Sequence, residues 1–86
     1  MTKYEVLVSE TARKQLEALD KGTRARIKRA LRDIDPSRST VKRLKGPKRD
    51  YFRLRVGKYR VMFTVEGKRV LVAKMLHRRV AYSWVD

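Results

Sequence analysis

The sequence predicts an α+β fold: an N-terminal strand, an antiparallel helical hairpin, then three to four mostly antiparallel strands, in the order β-α-α-β-β-β, with both helices on one sheet face. Three observations carry this. Apolar residues alternate with period two at the start of the chain and over much of its second half. Two stretches between them repeat their apolar residues every three or four positions. Glycine-containing turns then separate the later alternating runs. Eighty-six residues allow one small core, and residues 1–86 are read as a single domain.

Residues 3–8, KYEVLV, read as the first strand, with Tyr4, Val6 and Val8 on one face. Ser9 is a suitable N-cap for a helix over 9–20, where Ala12, Leu16 and Leu19 form a narrow apolar stripe. Asp20-Lys21-Gly22 breaks that helix. Thr23 then caps a second one over 23–34, with Ile27, Ala30, Leu31 and Ile34 on one face and Arg24, Arg26, Lys28, Arg29 and Arg32 on its solvated side. Two amphipathic helices joined so closely make an antiparallel hairpin. Pro36 stops the second helix. Residues 36–50 read as a basic connector with a turn at Gly46-Pro47.

Three strands follow: 51–56, 59–65 and 70–76. Gly57-Lys58 is a glycine-first two-residue loop, which suits a type II′ hairpin. Residues 66–69 read as a looser turn. The tail HRRVAYSWVD is either a short fifth strand or irregular, and its Trp84 reads as a packing residue.

Charge dominates the composition. Lys and Arg number 24 against 9 Asp and Glu, a net charge of +15, which points to a polyanionic partner such as nucleic acid. Residues 36–60 alone carry 10 basic and 1 acidic side chains. With no cysteine and one histidine, disulfide scaffolds and thiolate or multi-histidine metal sites are excluded. No apolar run approaches the roughly 18 residues that span a bilayer, and the N-terminus lacks the apolar stretch of a signal peptide. A cytoplasmic protein is expected, with neither metal nor cofactor and no membrane partner.

The hairpin fixes a register. With Gly57-Lys58 as the loop, Val56 lies opposite Tyr59, Arg55 opposite Arg60, Leu54 opposite Val61, Arg53 opposite Met62 and Phe52 opposite Phe63. Phe52, Leu54, Val56, Tyr59, Val61 and Phe63 then form an apolar face. Tyr51, Arg53, Arg55, Arg60 and Met62 form the other. Like charges directly opposed destabilise a sheet, so three arginines gathered there read as a phosphate-binding cluster. His77, Arg78, Arg79 and Tyr82 follow the last strand beside that face. Lys42, Arg43, Lys45, Lys48 and Arg49 read as charges tracking a nucleic-acid backbone.

These residues also carry a resemblance. RLKGPKRDYFRLRVGKYRVMFTVEGKRVLVAKMLHRRVAY (43–82) resembles the core of the RelE/ParE toxin superfamily, in particular its RelE branch, and the preceding strand and helical pair extend the likeness over nearly the whole chain. The resemblance implies the toxin of a type II toxin–antitoxin system: an endoribonuclease that cuts mRNA in the ribosomal A site and is silenced by an acidic RelB-type antitoxin. It implies catalytic positions at Arg53 and Arg55, where some relatives carry lysines, at Arg60, at Arg78 or Arg79, and at Tyr82. Metal-free cleavage must deprotonate a 2′-hydroxyl, stabilise charge on phosphorus and protonate the 5′-leaving oxygen. Arginines suit the second task through bidentate contacts. Arginine, with a pKa above about 12, is a poor general base, which leaves Tyr82 or His77 for proton transfer. The alternatives are a ParE-type toxin that inhibits DNA gyrase and cuts nothing, and a non-catalytic RNA-binding module.

Overall fold

The computed structural model describes residues 4–38, 40–47 and 50–80. Seven elements follow in order: β1 (Glu5–Val8), α1 (Glu10–Glu17), α2 (Lys21–Arg32), β2 (Val41–Leu44), β3 (Tyr51–Val56), β4 (Tyr59–Glu66) and β5 (Arg69–His77). The five strands form one sheet in the order β1-β5-β4-β3-β2. Only β1 and β5 are parallel; every other pair is antiparallel.

Both helices begin at capping side chains. Ser9 Oγ accepts the Ala12 amide at 3.0 Å, as its position predicts. The second cap is Asp20 rather than Thr23: its carboxylate accepts the Thr23 amide at 3.0 Å. An ionised carboxylate at a helix N-terminus also meets the positive end of the helix dipole. Helix α2 therefore starts at Lys21, two residues before the expected position, and α1 ends at Glu17 rather than at 20. The hydroxyl and amide of Thr23 hold the Asp20 carboxyl below its ordinary pKa.

The apolar stripes do what their spacing predicts. Ala12, Leu16, Ile27, Leu31 and Ile34 are buried with Leu54, Val56, Val61, Phe63, Val70, Val72 and Met75, and Leu19 and Ala30 pack against them. Helix α1 lies over β5 and α2 over β3. The Phe52 and Phe63 rings stack with centroids 5.4 Å apart.

Two readings of the chain are corrected. The basic connector contains a strand, β2, whose Val41 pairs with Leu54 and packs on the core. A short edge strand tolerates the charged side chains that hid it. The turn after β4 is tight rather than loose. Glu66 pairs with Arg69, and Gly67, with φ of 59°, takes the same left-handed position as Gly57. After β5 the chain turns helical at residues 78–80, and the rest of the tail lies outside the described residues.

Strand β5 carries an irregularity opposite Met62 and Phe63. Phe63 pairs with Val72, yet Met62 pairs with Lys74, so Ala73 is an extra residue between them. This bulge is tied to the start of α1. The Ser9 amide donates to Val72 O at 2.9 Å and Ser9 Oγ donates to Ala73 O at 2.6 Å. Beyond the end of β1, Gln15 Oε1 takes over from the missing strand and accepts the Met75 amide at 2.7 Å.

Candidate nucleic-acid interface

The β3–β4 hairpin has the register its loop predicts, residue for residue: Phe52–Phe63, Arg53–Met62, Leu54–Val61, Arg55–Arg60 and Val56–Tyr59. Gly57 has φ of 58° and no other residue of that loop is in the left-handed region, as a type II′ turn requires. A side chain at Gly57 would also approach Arg26 Nη1 to 3.0 Å. Alternation along the strands then separates two faces. The one turned from the helices carries Tyr51, Arg53 and Arg55 from β3, Arg60 and Met62 from β4, and Lys42 from β2, which pairs with Arg53.

The arginines there differ in environment. Arg55 is exposed and Arg53 half-buried. Arg60 is only 6 % exposed, and its Nη1 donates to Gly57 O at 3.1 Å and Tyr59 O at 3.0 Å. Arg60 therefore braces the hairpin turn as well as adding charge opposite Arg55. Two guanidinium-bearing residues facing each other across a ladder form a site that an anion relieves.

The end of β5 closes on the same turn. The Arg78 amide donates to Lys58 O at 2.7 Å, which brings exposed Arg78 and Arg79 to the end of the sheet that holds Arg55 and Arg60. His77 pairs with Tyr59 and meets its ring edge-on at 5.6 Å. That puts the imidazole on the helix side of the sheet, away from Arg53 and Arg55. Its Nδ1 accepts the Arg79 amide at 3.3 Å.

The connector residues divide. Lys42 joins the arginine face. Arg43 belongs to the other face, where it lies 6.0 Å from the Phe52 ring centroid. Its Nε donates to Asp50 Oδ2 at 2.6 Å and its Nη2 pairs with the same oxygen. Lys45 is exposed beyond the end of β2. Lys48, Arg49, Tyr82 and Trp84 lie outside the described residues.

One cation of this face was not legible in the sequence. Lys74 pairs with Met62, so a single row of side chains crosses four strands as Lys42, Arg53, Met62 and Lys74. Strict alternation from Val70 and Val72 would send Lys74 into the core. The bulge at Ala73 reverses the sense, turning Lys74 outward and Met75 inward.

The α+β fold, with two helices on one face of the sheet, is shared with toxins of type II toxin–antitoxin systems. The sequence matches the family described as "ParE toxin of type II toxin-antitoxin system, parDE" over residues 6–82, and the chain belongs to that family. Several proteins it resembles are named RelE toxins. It is 32% identical over 85 residues to Toxin RelE3 of Methanocaldococcus jannaschii, covering 92% of this chain and 96% of the relative. Among solved structures it resembles the toxin of the RelB–RelE antitoxin–toxin complex from Methanococcus jannaschii, with a TM-score of 0.72, 27% identity and coverage of 93% and 99% of the two chains. The RelE–RelB complex of Pyrococcus horikoshii OT3 gives a TM-score of 0.72 at 27% identity, covering 90% and 97%. The toxin–antitoxin complex RelBE2 of Mycobacterium tuberculosis gives 0.73 at 26%, covering 90% and 100%.

Proposed function

We propose that this toxin is a ribosome-dependent endoribonuclease that cuts mRNA in the A site by attack of a ribose 2′-hydroxyl on the adjacent phosphorus, and that an acidic RelB-type antitoxin holds it inactive. The observation that carries the reading is Arg55 set directly opposite Arg60, with Arg53 and Lys42 on the same face. Such an arrangement costs folding energy and is repaid by a phosphate. In the reaction, Arg60 and Arg78 or Arg79 take up charge growing on the phosphoryl oxygens. Arg53, Arg55 and Lys42 hold the flanking backbone. Tyr82 orients the hydroxyl or stacks on a base. The ribosome supplies the message in a fixed geometry, which lowers the demand on proton transfer. A partner able to cover a +15 surface is itself acidic, and the solved complexes of the similar proteins pair a RelE toxin with RelB.

Primer extension on a defined mRNA tests this. New 3′ ends are expected only with ribosomes whose A site is empty, and they are lost in Arg60→Ala and in Tyr82→Phe. Because Arg60 braces a turn, its variant is scored only if its thermal melt shows a folded protein; Tyr82→Phe gives the independent test. The family description names a ParE toxin, and this supports a second reading, a toxin directed at DNA gyrase through protein contacts alone. Absence of new ends with ribosomes, in a protein still toxic to cells, selects it.

A further inference from the structure

The arginine face has ample fixed charge and no arginine suited to accept a proton. Arginine stays charged in proteins, whereas lysine can exchange its proton and serves as a general base. Lys42 and Lys74 both stand on this face, and Lys74 is the one that a dedicated feature of the fold delivers there. The extra residue Ala73 places it opposite Met62 rather than in the core. Two hydrogen bonds from Ser9 hold that bulge, and a third, from Met75 to Gln15, fixes the next residue. Bulges characteristically re-aim one side chain beside a functional site.

The geometry converges there. Lys74 is half-buried, and its row neighbour Met62 is only 1 % exposed, so the ground between Arg53 and Lys74 is apolar and closed. Adjacent strands lie about 4.8 Å apart, so Arg53 and Lys74, two strands apart, stand about 10 Å apart at the backbone. Arg60 pairs with Leu76 and is thus the diagonal neighbour of Lys74, about 7–8 Å away. Arg53 and Lys74 carry side chains long enough to reach a common phosphodiester over Met62, and Arg60, with Nη1 on the turn carbonyls, adds charge beside it.

We propose that Lys74 Nζ is the group that takes the proton from the attacking 2′-hydroxyl, which rests on the endoribonuclease reading above. The neutral amine removes the proton, and the 2′-oxygen bonds to phosphorus. The bond from phosphorus to the 5′-oxygen breaks, and that oxygen leaves with a proton drawn from water. The products are a 2′,3′-cyclic phosphate and a 5′-hydroxyl. The Lys74 ammonium returns its proton to the hydroxide left by that water.

The test compares wild type, Lys74→Arg and Lys74→Ala in single-turnover cleavage of mRNA on ribosomes with an empty A site, with ribosome affinity measured by co-sedimentation. General-base loss costs about 10²–10⁴-fold in rate. Both variants are expected to fall at least 100-fold while affinity changes less than threefold. Added ethylamine is expected to restore part of the Lys74→Ala rate, increasingly as pH rises toward the pKa of the amine. A purely structural or charge-holding role gives neither result: it leaves Lys74→Arg near the wild-type rate, and added amine does nothing. Either of these outcomes, with wild type cutting normally, overturns the assignment and leaves the endoribonuclease reading intact. Failure of wild type to cut overturns both.

Discussion

Replacing Arg55 by threonine should stabilise this protein. Arg55 and Arg60 are direct partners across β3 and β4, and like charges so placed cost about 0.2–1 kcal/mol. Two unit charges about 6 Å apart repel by about 0.7 kcal/mol even at the dielectric of water. Burial of Arg60 lowers the local dielectric, so a gain near the top of that range, about 1 kcal/mol, is expected. For a domain of this size that corresponds to about 4–8 °C in Tm. Threonine also suits a strand. The assay is a thermal melt of wild type and Arg55→Thr at about 50 mM and 1 M NaCl. At 1 M the Debye length falls to about 3 Å, so most of the gain should vanish. In contrast, Arg60→Ala should lower stability by about 1–3 kcal/mol, because it strips donors from the Gly57 and Tyr59 carbonyls. A Tm for Arg55→Thr equal to or below wild type at low salt, or a gain as large at 1 M as at 50 mM, refutes the reasoning that this pair is held together against its own repulsion.

Gln15→Leu should cost about 1–3 kcal/mol by leaving the Met75 amide without its partner, seen as a lower urea midpoint and faster hydrogen exchange at Met75. Asp20 contributes stability that is fully present above the ordinary carboxylate pKa of about 3.9 and lost as pH falls through its lowered folded value. Urea midpoints of Asp20→Asn against pH should therefore fall less steeply below about pH 4 than those of wild type, and parallel curves would remove Asp20 from the acid limb.

Much of the candidate site was legible because it depends on local chemistry. A glycine-first loop between two alternating runs admits one pairing of β3 with β4, so the Arg55–Arg60 opposition followed before any tertiary contact was known. Helical spacing likewise identified the buried stripes of α1 and α2, since 3.6 residues per turn is a property of the backbone itself. Charge on residues 36–60 marked the basic region. The same charge concealed β2, because a strand of four residues with two cations at its centre shows no alternation above background, and only pairing with β3 makes it a strand. The parallel placement of β1 beside β5 joins segments more than sixty residues apart. Nothing in either segment alone records it, as the partner is chosen by what the helices leave open.

The clearest division falls at Val70–Leu76. Its sequence fixes a hydrophobic strand and nothing more, since VLVAKML can present either Lys74 or Met75 to the core. Tertiary structure decides. With β1 ending at Val8, Ser9 at the N-cap of α1 and Gln15 near its C-terminal end meet β5 and hold one residue out of register. The side-chain period of a strand is two, so a single extra residue turns every later side chain over. Composition determined that this protein would carry a cationic face; a one-residue bulge, fixed by contacts from the far end of the chain, decided that a second lysine would stand in it beside Lys42.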